Sequence, residues 1–183
     1  MVRFPDVLLK PEYGYQANQL EKVKRTDSEL GSSAVRDAWN RTRFICAGAF
    51  KLTVDMTETY YAFWRINRLS QNITFFDYDE TAQTAVAIGT GTGAQTVFTL
   101  NAREVRAAVF KVAGTITAAT ISVGTGALGE DQITFAAPPA NATAITGDYT
   151  GRKKYTVEYL DTPHRDAVSW NLRRVTFALR EVF

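Results

Sequence analysis

The stretch from Phe44 to Val54 constrains the fold most, because an apolar residue or a glycine occupies every second position. Alternation with a period of two is typical of a β-strand that buries one of its faces. The whole chain is also rich in aromatic residues, which make up 12% of it and favour the half-buried surface of a pleated sheet. We therefore predict a mainly β fold.

A helix is predicted directly after this strand. Asp55 precedes Glu58 by three residues, a spacing that resembles a capping box at a helix start. An apolar face with helical spacing follows, formed by Ala62, Phe63, Ile66 and Leu69. The sequence ITFFDY (73–78) then returns to a strand-like composition, so the pattern over 44–79 is strand, helix, strand.

The C-terminal stretch is also strand-like. Alternating apolar residues occur at 155–159, at 168–172 and at 175–179, with a turn at DTPHRD (161–166). The last two runs differ in phase, which predicts a β-bulge at Arg173–Arg174. Trp64 and Trp170 are expected to be buried in the core of this part of the chain.

Charge density divides the chain into two parts. Only seven of the 66 residues in 85–150 are charged, against 33 of the remaining 117. The same stretch is rich in Gly, Thr and Ala, with short apolar runs separated by turn signals. We predict that 85–151 is an inserted small β module, that 1–84 and 152–183 form the host domain, and that the strands flanking the insertion pair as neighbours.

Composition argues against several classes of function. The formal net charge is +2, which predicts neither nucleic-acid nor membrane binding. No apolar run approaches the length of a membrane span, and the first residues lack the apolar core of a secretory signal. We therefore expect a soluble intracellular product. The single cysteine, Cys46, is expected to be a buried thiol.

Two motifs that suggest phosphate chemistry are better explained as turns. The glycine-rich GTGTG (89–93) precedes strand-forming residues and lacks the lysine of a phosphate loop. His164, Arg165 and Asp166, followed by Asn171, have the spacing of a kinase catalytic loop, but no other kinase motif accompanies them.

The remaining candidates for catalysis or metal binding are equally weak. Asp77, Asp79 and Glu80 lack the spacing of a calcium loop and are interpreted as a solvated strand end. One histidine and one cysteine do not make a zinc site, and their pairing as nucleophile and base would require chance proximity. We assign no catalytic, cofactor-binding or metal-binding residue and do not expect an enzyme.

Several pieces of the chain, taken in order, resemble small tail proteins of long-tailed bacteriophages. The pieces are RTDSELGSSAVRDAW (25–39), FKLTVDMTETYYAFWRINRL (50–69), ITFFDYD (73–79) and SWNLRRVTFALREV (169–182). The resemblance covers roughly residues 3–80 and 153–183. The similar family includes minor tail proteins and distal tail proteins.

This resemblance implies a fold, a role and a set of partners. The host domain would be a β-sandwich or split-barrel belt domain with one main helix, and 85–151 a small inserted β-sandwich module. The protein would be a structural virion protein, made in the bacterial cytoplasm, that forms a ring at the distal end of the tail tube. Its partners would be copies of itself, in a hexameric ring, together with the tail tube protein and the tail-tip or hub proteins, with no cofactor.

The segment 10–43 is the predicted assembly arm. It is charged, carries scattered aromatic residues and is long for a connection in a compact domain. We expect short strands and a long loop here, ordered against partners. Arg25, Arg36 and Trp39 are the candidate assembly contacts, because Trp and Arg are enriched among interface hot spots. Packing of Trp39 in its own core is the alternative.

Other functions stay open at this point. The insert could bind a host surface glycan, which would make the chain a carbohydrate-binding module of a tail or baseplate assembly. Its aromatic residues number only four, and none is the tryptophan suited to stacking on a sugar; they are Phe98, Phe110, Phe135 and Tyr149. A tube terminator or completion protein is another possibility. A small hydrolase is disfavoured by the residues available for catalysis.

Overall fold

The computed structural model describes residues 2–5, 13–20, 23–27, 33–37 and 43–182. The chain is mainly β, with antiparallel sheets of sandwich-like character, and the described part contains one helix. It divides into two compact units. The first comprises Pro5–Ile73 and Thr156–Phe183, and the second comprises Val2–Phe4 and Thr74–Tyr155. The mainly β prediction is confirmed.

The first unit is built on a central pair of antiparallel strands. Its described elements are β2 (Tyr13–Leu20), β3 (Val23–Asp27), β4 (Ser33–Asp37), β5 (Arg43–Thr53), the helix α1 (Val54–Asn67), β13 (Arg165–Ala167) and β14 (Leu172–Glu181). β5 lies between β2 and β14, and β14 also pairs with β13 and with residues 157–159. β3 and β4 pair with each other in a separate ribbon.

The alternating pattern of β5 is confirmed as a buried face. Cys46, Phe50 and Leu52 are buried on this face. Val175 lies opposite Phe50, and the ring of Phe177 stacks on that of Phe50 with a centroid distance of 4.7 Å. The core of the first unit therefore lies on one face of the β5–β14 pair.

The helix is where the sequence predicts it, but its cap and its buried face differ from the prediction. Thr53, not Asp55, is the N-cap, and its hydroxyl accepts a hydrogen bond from the Met56 N–H at 3.3 Å. Tyr60 is completely buried and its ring meets that of Phe50 at 6.1 Å. The predicted apolar face is wrong, since Ile66 is 83% exposed. Packing against the aromatic face of the sheet decides which side of the helix is buried.

The predicted bulge at Arg173–Arg174 is wrong. β14 pairs with β5 without interruption from Leu172 to Arg180. The apolar residues at 168–172 and at 175–179 alternate in different phases for another reason. Residues 168–171 lie outside the strands, in the turn between β13 and β14. Trp170 is 89% exposed there, which contradicts the expected burial, and Trp64 is only half-buried.

The second unit has its own strands and core. Its strands are β1 (Val2–Arg3), β6 (Ile73–Thr90), β7 (Val97–Thr99), β8 (Ala102–Val112), β9 (Thr115–Ile116), β10 (Ala119–Ser122), β11 (Gln132–Phe135) and β12 (Ala144–Tyr159), with Ile73 and the last four residues of β12 belonging to the first unit. β12 pairs with β8, and β10, β11 and β7 form a small antiparallel sheet. The core cluster includes Leu100, Ile133, Ile145 and all four aromatic residues of the predicted insert.

The borders of the two units lie within long strands. β6 and β12 are neighbours in the sheet, as the sequence predicts for the strands that flank the insertion. The predicted boundaries at 84/85 and 151/152 fall inside these strands, whereas the compact units divide at 73/74 and 155/156. A deletion of 85–151 would therefore cut both strands.

Among the described residues, no helix combines the length and the apolar character needed to cross a bilayer.

The N-cap of α1 can be tested by substitution. We expect Thr53→Ala to lower the free energy of unfolding by about 1 kcal/mol, because the Met56 N–H then loses its acceptor. Thr53→Ser keeps the hydroxyl and is the matched control. Urea denaturation measures both variants. An equal loss in the two would show that the hydroxyl does not cap the helix.

Candidate interaction surfaces

The predicted assembly contacts fall in or beside the β3–β4 ribbon. Arg25 lies in β3 opposite Val35, and Arg36 lies in β4 opposite Lys24. The side chains of both arginines, and the whole of Trp39, lie outside the described residues. Whether these three residues contact a partner therefore stays a prediction.

The ribbon itself is a candidate surface because of its backbone. Within the described ranges, β3 and β4 have no strand partner except each other. Each strand therefore has one edge whose N–H and C=O groups no described strand pairs with, and such edges accept further strands. A two-stranded hairpin is also marginally stable on its own. A partner at either edge would satisfy these groups and stabilise the ribbon.

Two further surfaces in the first unit expose apolar side chains. One is the turn 168–171, here called the Trp170 tip. The other is a cavity of about 350 Å³ at the C-terminal end of α1, here called the helix-end groove. Its lining includes Trp64, Arg68, Leu69, Tyr159, Leu160 and Asp161. The sequence did not single out either surface.

The kinase-like triplet forms part of a strand and not a turn. Arg165 and Asp166 belong to β13, with His164 directly before it. His164 Nε2 lies 3.0 Å from an Asp166 carboxylate oxygen, and both side chains are largely exposed. Arg165 instead pairs with Glu58 at 3.0 Å and lies over the ring of Tyr61. The triplet thus ties β13 to the helix.

Tyr61 serves the same attachment. Its hydroxyl donates a hydrogen bond to the carbonyl of Pro163 at 2.8 Å. Burial raises the pKa of Tyr61, and the charge of Arg165 opposes this only in part. The hydroxyl therefore stays protonated at neutral pH and acts as a donor, which is the state that the contact requires.

The three acidic residues of β6 do not form a cation site. Asp79 and Glu80 are exposed as expected, but Asp77 is buried, which corrects the expectation for that residue. One carboxylate oxygen of Asp77 accepts a hydrogen bond from the Asp79 N–H. Glu80 pairs with Arg106 at 2.6 Å. Among the described residues, no group of three or more His, Cys, Asp or Glu is placed to hold a metal ion.

Arg152 links β6 to β8 within the second unit. Its guanidinium donates hydrogen bonds to the carbonyls of Phe76 and Asp77 and to the Glu104 carboxylate. It also lies 5.3 Å from the ring centroid of Tyr78. The planar guanidinium of arginine can make these contacts together, because it holds several N–H donors in a fixed geometry. Its role here is structural.

Asp131 is a buried acid that the sequence patterns did not reveal. Its side chain is inaccessible to solvent, and its two carboxylate oxygens accept hydrogen bonds from the N–H groups of Val105 and Gly124, each at 2.8 Å. The carboxylate therefore fastens the loop before β11 to β8. No short motif indicates this, because Val105 lies 26 residues away in sequence.

Glu130 forms the most buried described ion pair of the second unit. Its carboxylate accepts hydrogen bonds from the Lys154 ammonium and the Leu128 N–H, each at 2.9 Å. Burial by itself raises the pKa of Glu130, but these hydrogen bonds and the charge of Lys154 lower it more, so that it lies below its ordinary value. The folded state therefore favours the charged carboxylate.

The glycine-rich segment 89–93 has a structural explanation. The Gly91 N–H donates to the Thr143 carbonyl and the Gly91 carbonyl accepts from the Ala142 N–H, so this segment pairs with the loop 139–143. A Cβ atom at Gly91 would collide with the carbonyl oxygens of Pro139 and Ala140. Glycine is thus required by close backbone approach and not by a phosphate.

Cys46 is confirmed as a buried free thiol. No protein-family model matches the chain, and no curated protein is significantly similar to it.

The Glu130–Lys154 pair gives a stability prediction. We expect Glu130→Gln to lower the free energy of unfolding at neutral pH by about 3 kcal/mol, because it leaves a largely buried ammonium without its counter-charge. Glu80→Gln is the matched control, since its partner Arg106 is 64% exposed and such pairs contribute about 1 kcal/mol or less. Urea denaturation of both variants tests this difference.

The same pair predicts a dependence on pH. Because folding lowers the pKa of Glu130, the pair stabilises the protein above the ordinary value of 4.5, and this contribution is lost as the pH falls through the lower folded value. The difference between wild type and Glu130→Gln should therefore shrink on acidification below 4.5. A constant difference across this range would contradict the assignment.

Proposed function

We propose that this chain is a structural virion protein of a long-tailed bacteriophage that forms a ring at the distal end of the tail tube. In that position it joins the tube to the tail-tip or host-recognition apparatus. Its partners are copies of itself, in a hexameric ring, the tail tube protein and the hub proteins. The protein is made in the cytoplasm of the bacterial host and is located at the tail tip.

The observation that carries this proposal is the order of the family-like sequence pieces along the elements. RTDSELGSSAVRDAW covers the last three residues of β3 and all of β4, and FKLTVDMTETYYAFWRINRL covers the end of β5 and all of α1. ITFFDYD begins β6, and SWNLRRVTFALREV contains the Trp170 tip and β14. The pieces therefore fall on the ribbon, the two central strands and the helix of the first unit, and on the start of β6, which belongs mostly to the second unit. Their order along the chain is what supports the proposal.

The exposed surfaces of the first unit favour an assembly role. Identical subunits in a ring meet through two different patches, one at each side of the subunit. The first unit exposes backbone edges at the β3–β4 ribbon and apolar side chains at the Trp170 tip and the helix-end groove. Such exposed apolar groups are expected where a partner covers them.

The alternative of a carbohydrate-binding insert is less favourable. A sugar-binding module of this kind stacks the pyranose ring on exposed aromatic side chains. All four aromatic residues of the predicted insert are buried, with at most 6% of any one exposed. They form its core, so they offer no stacking platform.

Virions lacking the protein test the proposed function. We expect phage particles made without this gene product to have absent or detached tail tips, because the tube would lack its connection to the tip apparatus. Electron microscopy and an adsorption assay measure the effect, and supply of the wild-type protein in trans is the control. Intact tails with normal adsorption would refute the proposal.

The assembly arm gives a separate prediction. If segment 10–43 contacts neighbouring subunits or the tube, its amide groups exchange more slowly in the assembled particle than in the free protein. Hydrogen exchange followed by mass spectrometry measures this, with the core strand β5 as the internal control. Equal protection of 10–43 in the two states would count against the arm.

A further inference from the structure

We propose that a cavity beside the Trp170 tip binds an acidic segment of another protein. The cavity, here called the basic cleft, has a volume of about 340 Å³, and its lining includes Ala49, Lys51, Val168 and Arg174. All of these residues belong to the first unit. The inference goes beyond the proposed function, because it does not require that the partner be a virion protein.

The two cations of the basic cleft lie side by side on the outer face of the sheet. Lys51 of β5 is directly opposite Arg174 of β14, and such cross-strand neighbours have Cβ atoms about 5 Å apart. The next pair along the same strands, Phe50 and Val175, is buried in the core. Since successive side chains of a strand alternate between its faces, Lys51 and Arg174 lie on the face away from the core, and both are exposed.

No ion pair among the described residues neutralises these two charges. The pairs that the described side chains form include neither Lys51 nor Arg174. Asp166 of β13 lies opposite Arg174 on its other side, but a carboxylate oxygen of Asp166 is 3.0 Å from His164 Nε2. Like charges directly opposite each other in a sheet repel and destabilise it. A carboxylate placed between Lys51 and Arg174 would remove this repulsion, so the cleft favours an anionic group.

Exposed apolar groups beside the cations indicate the rest of the ligand. Val168, which lines the cleft, is 51% exposed, and Trp170, two residues further along the same turn, is 89% exposed. The turn is fixed, because the N–H groups of Val168 and Ser169 both donate to the Leu172 carbonyl. An aromatic group on a fixed turn loses little conformational entropy when a partner covers it. A free phosphate ion would leave these apolar groups in water, whereas a segment with acidic and apolar side chains would cover them.

The positive charge is too local for a long polyanion. Asp166 is the neighbour of Arg174 in β13, and the exposed Asp55 follows four residues after Lys51, at the start of α1. Nucleic acids bind along tracks of several cations that contact successive phosphates. The carboxylates of Asp55 and Asp166 would repel such a chain. A short segment with one or two acidic residues can meet the two cations alone.

NMR of the isotope-labelled full chain tests the site. The probe is the N-acetylated peptide Leu-Glu-Phe-Glu-Leu, and the same peptide with lysine in place of both glutamates is its control. The acidic peptide should shift the backbone signals of Lys51, Val168 and Arg174 and the indole N–H signal of Trp170, whereas the basic peptide should not. The shifts should decrease at high salt, because screening weakens contacts between exposed charges. Inorganic phosphate and oligothymidylate are titrated in the same way.

Reversal of the two charges should reverse the preference for the peptides. Lys51→Glu combined with Arg174→Glu should weaken binding of the acidic peptide by about tenfold, the combined effect of losing two exposed ion pairs. The same variant should bind the basic peptide. Arg65→Glu combined with Arg68→Glu makes the same change of net charge at exposed positions of the other end of α1, and this matched control should keep the wild-type preference. Thermal denaturation verifies that both variants fold.

A stability measurement distinguishes a binding role for Lys51 from a structural one. Lys51→Gln should raise the urea concentration at the midpoint of unfolding, because the repulsion from Arg174 is removed, and should also weaken binding of the acidic peptide. Lys51→Arg keeps the charge and should change neither property. A lower midpoint for Lys51→Gln would contradict the repulsion on which the site rests.

Three further results would overturn the proposal. They are the absence of shifts at the basic cleft with the acidic peptide, tighter binding of phosphate or oligothymidylate than of this peptide, and an unchanged preference in the charge-reversed variant. None of these results bears on the proposed function, which the virion experiment tests by itself.

Discussion

The stacking of Phe50 on Phe177 is the contact on which the first unit depends. Phe177 lies opposite Gly48, which has no side chain, so its ring can lean toward the neighbouring Phe50 instead of meeting a residue across the strand pair. The two parallel rings form an apolar plate on one face of β5 and β14. Tyr60 packs its edge against this plate and thereby fixes the rotation of α1 about its axis.

The rotation of the helix determines what the first unit offers to partners. Since Thr57 and Tyr60 face the sheet, Ile66 and Leu69 are left in solvent. Neither side chain contributes the free energy of apolar burial to the first unit, because both are more than 80% exposed. The apolar side chains at this end of the helix, beside the exposed Arg65 and Arg68, therefore lie outside the core of the first unit.

The sequence predicted the elements of the fold better than the faces that pack together. Period-two alternation identified β5 and β14 correctly. In a strand with one buried face, apolar and polar residues alternate along the sequence, so the pattern is visible in consecutive residues. The face of α1 was misjudged because Ile66 and Leu69 are more hydrophobic than Thr57, whereas burial depended on the aromatic plate of distant strands. The sequence did not indicate the roles of Glu130 and Asp131. Their partners, Lys154 and the N–H of Val105, are distant in sequence and come close only in the folded chain.

The low charge density that marks 85–150 has a physical meaning in the fold. The charged groups that remain there fasten strands and loops to one another. In the second unit Glu104 pairs with Arg152, Arg106 with Glu80, Lys111 with Asp148 and Glu130 with Lys154, and Asp131 accepts hydrogen bonds from two backbone N–H groups. Asp148 also accepts the Ala85 N–H, which, with the charge of Lys111, holds its pKa low. A few charges can therefore help to select one fold for this segment. Any other strand register would separate these charged groups from their partners and would have a higher free energy.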